Sequence, residues 1–273
     1  MIRRLTVDVP AAVTRHWHGG DPFRTHLFNA LSLLFPAGEQ NFIDVVREFE
    51  ADVAGDAPLA AAVRNFVGQE AVHRHTHGGF NARLAALGYR NLLEPWVEWR
   101  IALSRRYHRL SRLAVVAAYE HFTAVLGEGL LRHPAWIAGA PPALAVLWGW
   151  HAVEETEHRA VSFDVYRACG GRYLRRVGWY LYVTMALMLD LAVQTTYMLG
   201  RDGVLLRPST WGSAVRLMLG RAGVLRHVLP RWLAYFKPGF HPAGGEGDRL
   251  AAEWLATHAG QWRPVGAGAL AGP

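Results

Sequence analysis

Two segments of this chain, Glu70-Ala71-Val72-His73 and Glu155-Thr156-Glu157-His158, each set a carboxylate and an imidazole three residues apart. On an α-helix that spacing puts both groups on one face, so Glu70 and His73 can address one metal ion, and Glu155 and His158 another. One such pair alone reads as an ordinary solvated helix face. Here each pair follows a single acid on a preceding helix: Glu39 lies 31 positions before Glu70, and Glu120 lies 35 before Glu155. The surroundings of these acids are apolar. Glu39 heads a helical face with Phe42, Val46 and Phe49, and Glu120 follows Leu113, Val116 and Ala117. A buried carboxylate without a partner is costly, and a shared pair of cations would satisfy several at once. Carboxylate with imidazole suits iron or manganese better than a thiolate set would.

The neighbours of the second pair add a choice. His151, Glu155 and His158 fall at i, i+4 and i+7, one stripe facing one way. His151 is therefore placed either as a further ligand or as a core histidine beside the site. His77, one turn beyond His73, is placed to hold a carboxylate or to sit on an ordinary helix face. Glu154 competes with Glu155 but stands four, not three, residues from His158; Glu154 and Glu157 lie off the stripe. His75, His121 and Glu128 are expected outside the centre. Asp164 is a candidate to orient a ligand histidine.

These residues need helices, and the apolar periodicity supplies them. Helices are expected over 37–53, 59–87 (stopping at Gly88), 113–131 and 143–169 (stopping at Gly170-Gly171), with a helical pattern around Trp96–Tyr107 between the second and third. A fifth, apolar helix covers 179–199, and shorter ones lie near 211–220, 224–236 and 248–259. No useful β alternation occurs. The 50 positions from Glu70 to Glu120 suit one long crossover between two hairpins. The expectation is an all-α chain: a ferritin-like four-helix bundle with additional C-terminal helices. Residues 1–245 would form the di-metal domain and 246–273 a C-terminal helix with a loose tail.

Composition sets bounds. Of 273 residues, 51% are hydrophobic and 19% charged, which excludes a disordered chain. The lone cysteine, Cys169, excludes a disulfide framework and any multi-cysteine metal site. The net charge of +7 is carried almost wholly by arginine and does not by itself argue for nucleic acid as a partner. The N-terminus has no apolar run of the secretory kind. The 179–199 stretch is long enough to span a bilayer, but Asp190 and Gln194 argue for a buried or interfacial helix over a lipid-exposed span.

Several runs carry a resemblance: Glu39-Gln40-Asn41-Phe42, Gln69 to His73, Tyr119-Glu120-His121-Phe122-Thr123-Ala124, Trp150 to His158 and the late Lys237-Pro238-Gly239-Phe240-His241-Pro242. Together they resemble the bacterial family labelled "predicted metal-dependent hydrolase", over roughly residues 15–245. The His151/Glu155/His158 stripe is also similar to that of the di-iron arylamine N-oxygenases, in which a histidine at that place is a seventh ligand. The resemblance implies Glu39, Glu70, His73, Glu120, His151, Glu155 and His158 as metal ligands, with no catalytic residue beyond them. Elsewhere the chain does not match the N-oxygenases, so their substrate does not carry over.

Two iron ions (or manganese) at a buried, apolar site favour O₂ chemistry, with O₂ as co-substrate, an electron donor as partner and a small apolar or lipid-like molecule as substrate. The alternatives are hydrolysis by a metal-activated water, and a non-catalytic iron-binding protein. A serine nucleophile elbow, a His-Glu-x-x-His and a phosphate loop are all missing from the sequence. Trp148, Trp150, Phe122 and Phe163 are candidates to shape an apolar pocket. The expected location is cytoplasmic. Contact with the inner face of the membrane, through arginines between Arg201 and Arg231, and a homodimer are the alternatives to a free monomer.

Overall fold

The computed structural model describes residues 1–265. Helices take up 71% of the chain and the only sheet among the described residues is a two-stranded ribbon, so the chain is all-α. The four helices that carry the candidate residues come in two antiparallel pairs in sequence order, α2 (Pro22–Arg47) with α3 (Ala57–Ala86) and α5 (Arg109–Arg132) with α6 (Pro142–His158). The pairs meet through α2 against α5 and α3 against α6. A short α1 (Val9–Ala12) lies against α3 and α6, and α4 (Glu94–Ser104) forms part of the long crossover and packs on α2. The helices α7 (Val161–Ala168) and α8 (Tyr173–Arg201) pack against α5, and α8 also covers α2. Then come α9 (Pro208–Leu219), α10 (Val224–Ala234) and α11 (Gly247–Thr257), the last seated on α6 and α5.

Local sequence explains where these helices begin and end. Asp21 caps α2 by accepting the Arg24 N–H, with Pro22 in the first turn; Asp56 and Pro58 do the same for α3. Gly88 and Gly170 follow α3 and α7 at φ of 88° and 80°, left-handed backbone that favours glycine. Gly127 of α5 lets α6 come close: a Cβ there would stand 3.0 Å from Ala152 Cα.

Three expectations need correction. The first helix starts at Pro22 and ends at Arg47, not 37–53, because the cap at Asp21 and an apolar face (Phe28, Leu33, Phe42) carry it through Pro36. The expected single helix 143–169 is two helices. It breaks after His158, where the Arg159 guanidinium turns back to take the Thr156 carbonyl while also binding Asp248 and the Pro242 carbonyl. The ribbon pairs β1 (Arg3–Leu5) with β2 (Trp262–Pro264), antiparallel, with Arg3 opposite Pro264. Three-residue strands are too short to show an alternation. The end of the expected loose tail, 266–273, lies outside the described residues.

By length and composition α8 could cross a membrane. Its mid-helix acid and amide face the protein: Asp190 takes an ion pair from Arg100, and Gln194 bonds the Leu92 N–H and the Arg90 carbonyl. At its end Asp202 collects Tyr89, His16, His26 and Arg15. These three elements of side chain chemistry tie α8 to the crossover and to the N-terminal segment.

An acid lability follows from buried imidazoles away from the ligand cluster. Burial holds His18, His26 and His227 down to about 4, for His26 against the opposing pull of Asp202. An unfolded chain protonates these groups below its ordinary value of about 6.5, whereas the folded chain leaves them neutral until about 4. Stability is therefore lost as pH falls across that window. The buried carboxyls of the ligand cluster pull the other way in metal-free protein, so the contribution of one ring is read by difference. We predict that the Tm of His227→Gln, relative to that of the wild type, rises by about 5 °C between about pH 7 and pH 4.5. A Tm difference by calorimetry that is the same at both pH values would show that this ring does not carry the effect.

Candidate metal centre

The seven residues Glu39, Glu70, His73, Glu120, His151, Glu155 and His158 are all buried and converge between α2, α3, α5 and α6. Donor atoms of Glu70, His73, Glu155 and His158 all lie within 4.8 Å of one another. The spacing suggested one metal per Glu-x-x-His pair, but the two pairs interleave. Glu155 Oε1 stands 3.6 Å from His73 Nδ1 and 3.5 Å from His158 Nε2, and Glu70 Oε1 stands 3.8 Å and 3.3 Å from the Nδ1 atoms of His73 and His158. Each carboxylate thus sits between both imidazoles. Glu120 Oε2 closes one side at 3.9 Å from His158 Nδ1. Glu39 closes another, grouped with His77 and His151.

The donor set fits cations. Both oxygens of Glu39, Glu70 and Glu120, one of Glu155, Nδ1 of His73, Nε2 of His151 and both ring nitrogens of His158 are buried without a hydrogen-bond partner. Each such atom costs about 1–3 kcal/mol, so a single locus with this many is not a structural network. Burial first, and mutual carboxylate repulsion second, push Glu39, Glu70 and Glu120 well above the usual carboxyl range. Burial opposes ionisation of Glu155 as well, but the His158 and His151 imidazoles outweigh it and hold this carboxyl well below that range.

Two chains of hydrogen bonds aim the imidazoles. Asn81 Nδ2–H donates to the Ser32 carbonyl, which turns Asn81 Oδ1 to accept the Ser32 hydroxyl proton at 2.8 Å. Ser32 Oγ must then accept from His77 Nδ1–H (2.9 Å), and His77 Nε2 accepts from His151 Nδ1–H (3.1 Å). The bare Nε2 of His151 is left 3.1 Å from Glu155 Oε1. This leaves His151 facing the cluster, and it places His77 behind it as the residue that fixes its tautomer; His77 fills neither role read from the spacing, since it holds an imidazole and a hydroxyl and not a carboxylate. On the other side, His73 Nε2 faces Glu154 Oε2 at 3.1 Å, leaving Nδ1 toward the carboxylates. Glu154 in turn takes Arg3 of β1 at 3.2 Å, while Arg3 also binds Glu157 at 2.7 Å. Burial pushes Glu154 up to about 8 against the pull of Arg3.

Glu154 thus supports His73 and does not replace Glu155. We predict that Glu154→Ala weakens metal binding about 10- to 100-fold while leaving the number of ions at saturation unchanged. Equilibrium titration checks this; a lost ion would make Glu154 a ligand. The long-range partners Ser32, Asn81 and Arg3 leave no signal in the sequence. His75 is exposed, and the buried His121 packs on Tyr235 and Phe240, away from the cluster. Glu128 binds Arg132 and Arg231. Asp164 orients no ligand: it pairs at 2.7 Å with His241 of the late Pro-rich segment.

A cavity of about 1140 Å³ opens between α2, α4, α5, α8 and α10 and reaches Glu39 and His151. Its inner wall includes Leu31, Phe35, Phe122 and Trp148, with Phe35 stacked on His151 at 4.7 Å between ring centres. Of the four aromatics expected to shape it, Phe122 and Trp148 line it. The other two lie elsewhere: Trp150 packs edge-on against His73, and Phe163 packs against Tyr235, Phe240 and His241.

One family model matches the chain, described as "Predicted metal-dependent hydrolase", over residues 1–245. No curated protein and no solved structure matches it.

Proposed function

This chain belongs to the predicted metal-dependent hydrolase family, and from that membership we propose that it is a metal-dependent enzyme that cleaves an apolar substrate by hydrolysis at a dinuclear centre. One observation carries the reading: the partnerless buried carboxylates and imidazoles stand at the inner end of a large, mainly apolar cavity. Glu39, Glu70, His73, Glu120, His151, Glu155 and His158 would hold the ions in a ferritin-like arrangement of α2, α3, α5 and α6 within residues 1–245. Bound there, divalent ions supply Lewis acidity, and iron adds the capacity to react with O₂. The chain's own residues orient the imidazoles through His77 and Glu154, line the approach with Phe35 and Trp148, and guide an apolar substrate toward Glu39 and His151.

A second reading, oxidation by O₂ at iron with an external electron donor, is favoured by the inner wall itself. Phe35, Leu31 and Trp148 offer no charge to a departing polar group, and a dry apolar lining suits an oxidant. The two readings, and iron storage, separate in one series. Acyl esters of increasing chain length are incubated with the manganese- or zinc-loaded protein without oxygen, and the iron-loaded protein is exposed to O₂ with and without the same compounds. Hydrolysis predicts anaerobic ester cleavage that is lost in Glu70→Gln. Cleavage that is absent, with a transient visible chromophore whose decay the substrate hastens, would replace it by oxidation. Accumulation of many irons per chain would indicate storage.

A further inference from the structure

The mouth of the cavity is built from side chains that soluble surfaces rarely gather. Trp96 and Trp99 of α4 stack on each other at 4.9 Å and are 47% and 53% exposed. Across the opening, Met185, Met188 and Leu189 of α8 and Leu225 and Leu229 of α10 are exposed while lining the same cavity. Along α8 the exposed Leu181, Met185, Met188, Leu189 and Val193 follow helical spacing, on the side opposite buried Val183, Leu187, Asp190 and Gln194. The helix is thus apolar on both faces, and only one face is used by the fold. Beyond it, α9 and α10 each show an outer apolar stripe: Trp211, Val215 and Leu219, then Leu225, Leu229 and Leu233. A contiguous apolar surface of this kind marks an interaction site.

Charge selects the occupant. From Gly203 to Gly245 the chain has no acid and six basic residues, and Arg207, Arg216, Arg221 and Arg226 among them are exposed beside those stripes. At the other rim the exposed Arg105 and Arg106 directly precede Tyr107, which lines the cavity. A second copy docking symmetrically would bring two basic rims together, whereas an anionic lipid surface neutralises them. We propose that this face seats in the interfacial layer of an anionic bilayer, with α8, α9 and α10 lying on it, α4 at the rim, and the cavity opening directly into the acyl layer. The substrate class that follows is a lipid acyl chain entering from the membrane without crossing water. That last step rests on the function proposed above; docking itself does not.

Flotation of the full chain with vesicles tests docking without metal or turnover. The protein is expected to float with vesicles containing about one-third phosphatidylglycerol, and poorly with pure phosphatidylcholine, the difference shrinking as salt screens the surface. Arg221→Ala and Arg226→Ala are each expected to weaken binding roughly fivefold. Met185→Glu with Leu229→Glu is expected to abolish it; both positions are exposed, so an unchanged circular dichroism spectrum and metal content show the variant is folded. No flotation with either vesicle overturns the proposal, as does a wild-type dimer in solution that the same pair of glutamates dissociates, since a second copy then covers the face. Normal flotation with an enzyme inert toward every acyl compound would leave docking standing and remove the function proposed above.

Discussion

Glu120→Ala is expected to reduce the metal bound at saturation from two ions per chain to one or none. Glu120 is wholly buried, both its oxygens lack a hydrogen-bond partner, and it stands 3.9 Å from His158 on a helix that supplies no other residue of the cluster. Water cannot take its place without finding other polar partners, because Leu113, Val116 and Ala117 of the same helix are packed in the core. Glu120→Gln separates charge from volume: it fills the same space, so an equal loss identifies the carboxylate as what the cation needs. Elemental analysis of both variants decides. Unchanged stoichiometry would remove Glu120 from the centre and leave its burial unexplained.

The second large effect is on stability. Loading the metal-free protein with manganese or iron at about 100 times the dissociation constant should stabilise it by about 2.7 kcal/mol, a rise in Tm of about 5–10 °C for a chain of this size. Tighter binding raises it further, and a chelator should reverse it. The cause is local: cations relieve a set of carboxyls that burial and mutual repulsion otherwise drive well above their ordinary range. Uptake must displace protons, so binding should tighten as pH rises. Calorimetry with and without metal checks both statements. A Tm indifferent to metal would mean that the cluster does not bind it.

The residues of the centre were legible because their signal is local. A carboxylate and an imidazole three apart share a helix face whatever the tertiary structure, and an acid heading an apolar stripe turns inward with it. The structure accordingly brings together all seven residues singled out by spacing and resemblance. What surrounds them was not legible. Arg3 reaches Glu154 across 151 positions, and His77 reaches His151 across 74; no periodicity records such pairings. The interleaving of the two Glu-x-x-His pairs depends on the close approach of the helices. The first helix runs back through Pro36 to Pro22 because of packing that the sequence does not show. The break after His158 is hidden as well: no glycine or proline marks it, only an arginine whose partners, Asp248 and the Pro242 carbonyl, come from the far end of the chain. Asp190 and Gln194 were correctly read as unsuited to lipid, while their partners on the crossover, Arg100, Arg90 and Leu92, appear only in the fold.

The most direct measurement is anomalous diffraction from crystals grown with manganese or iron, collected on either side of the metal's absorption edge. Two peaks about 3.5–4 Å apart are expected, flanked by Glu70 and Glu155, with His73, His151 and His158 on the ions and Glu39 and Glu120 at the ends. No peak among these side chains, or carboxylates of Glu70, Glu120 and Glu155 turned away from a common centre, would contradict the account.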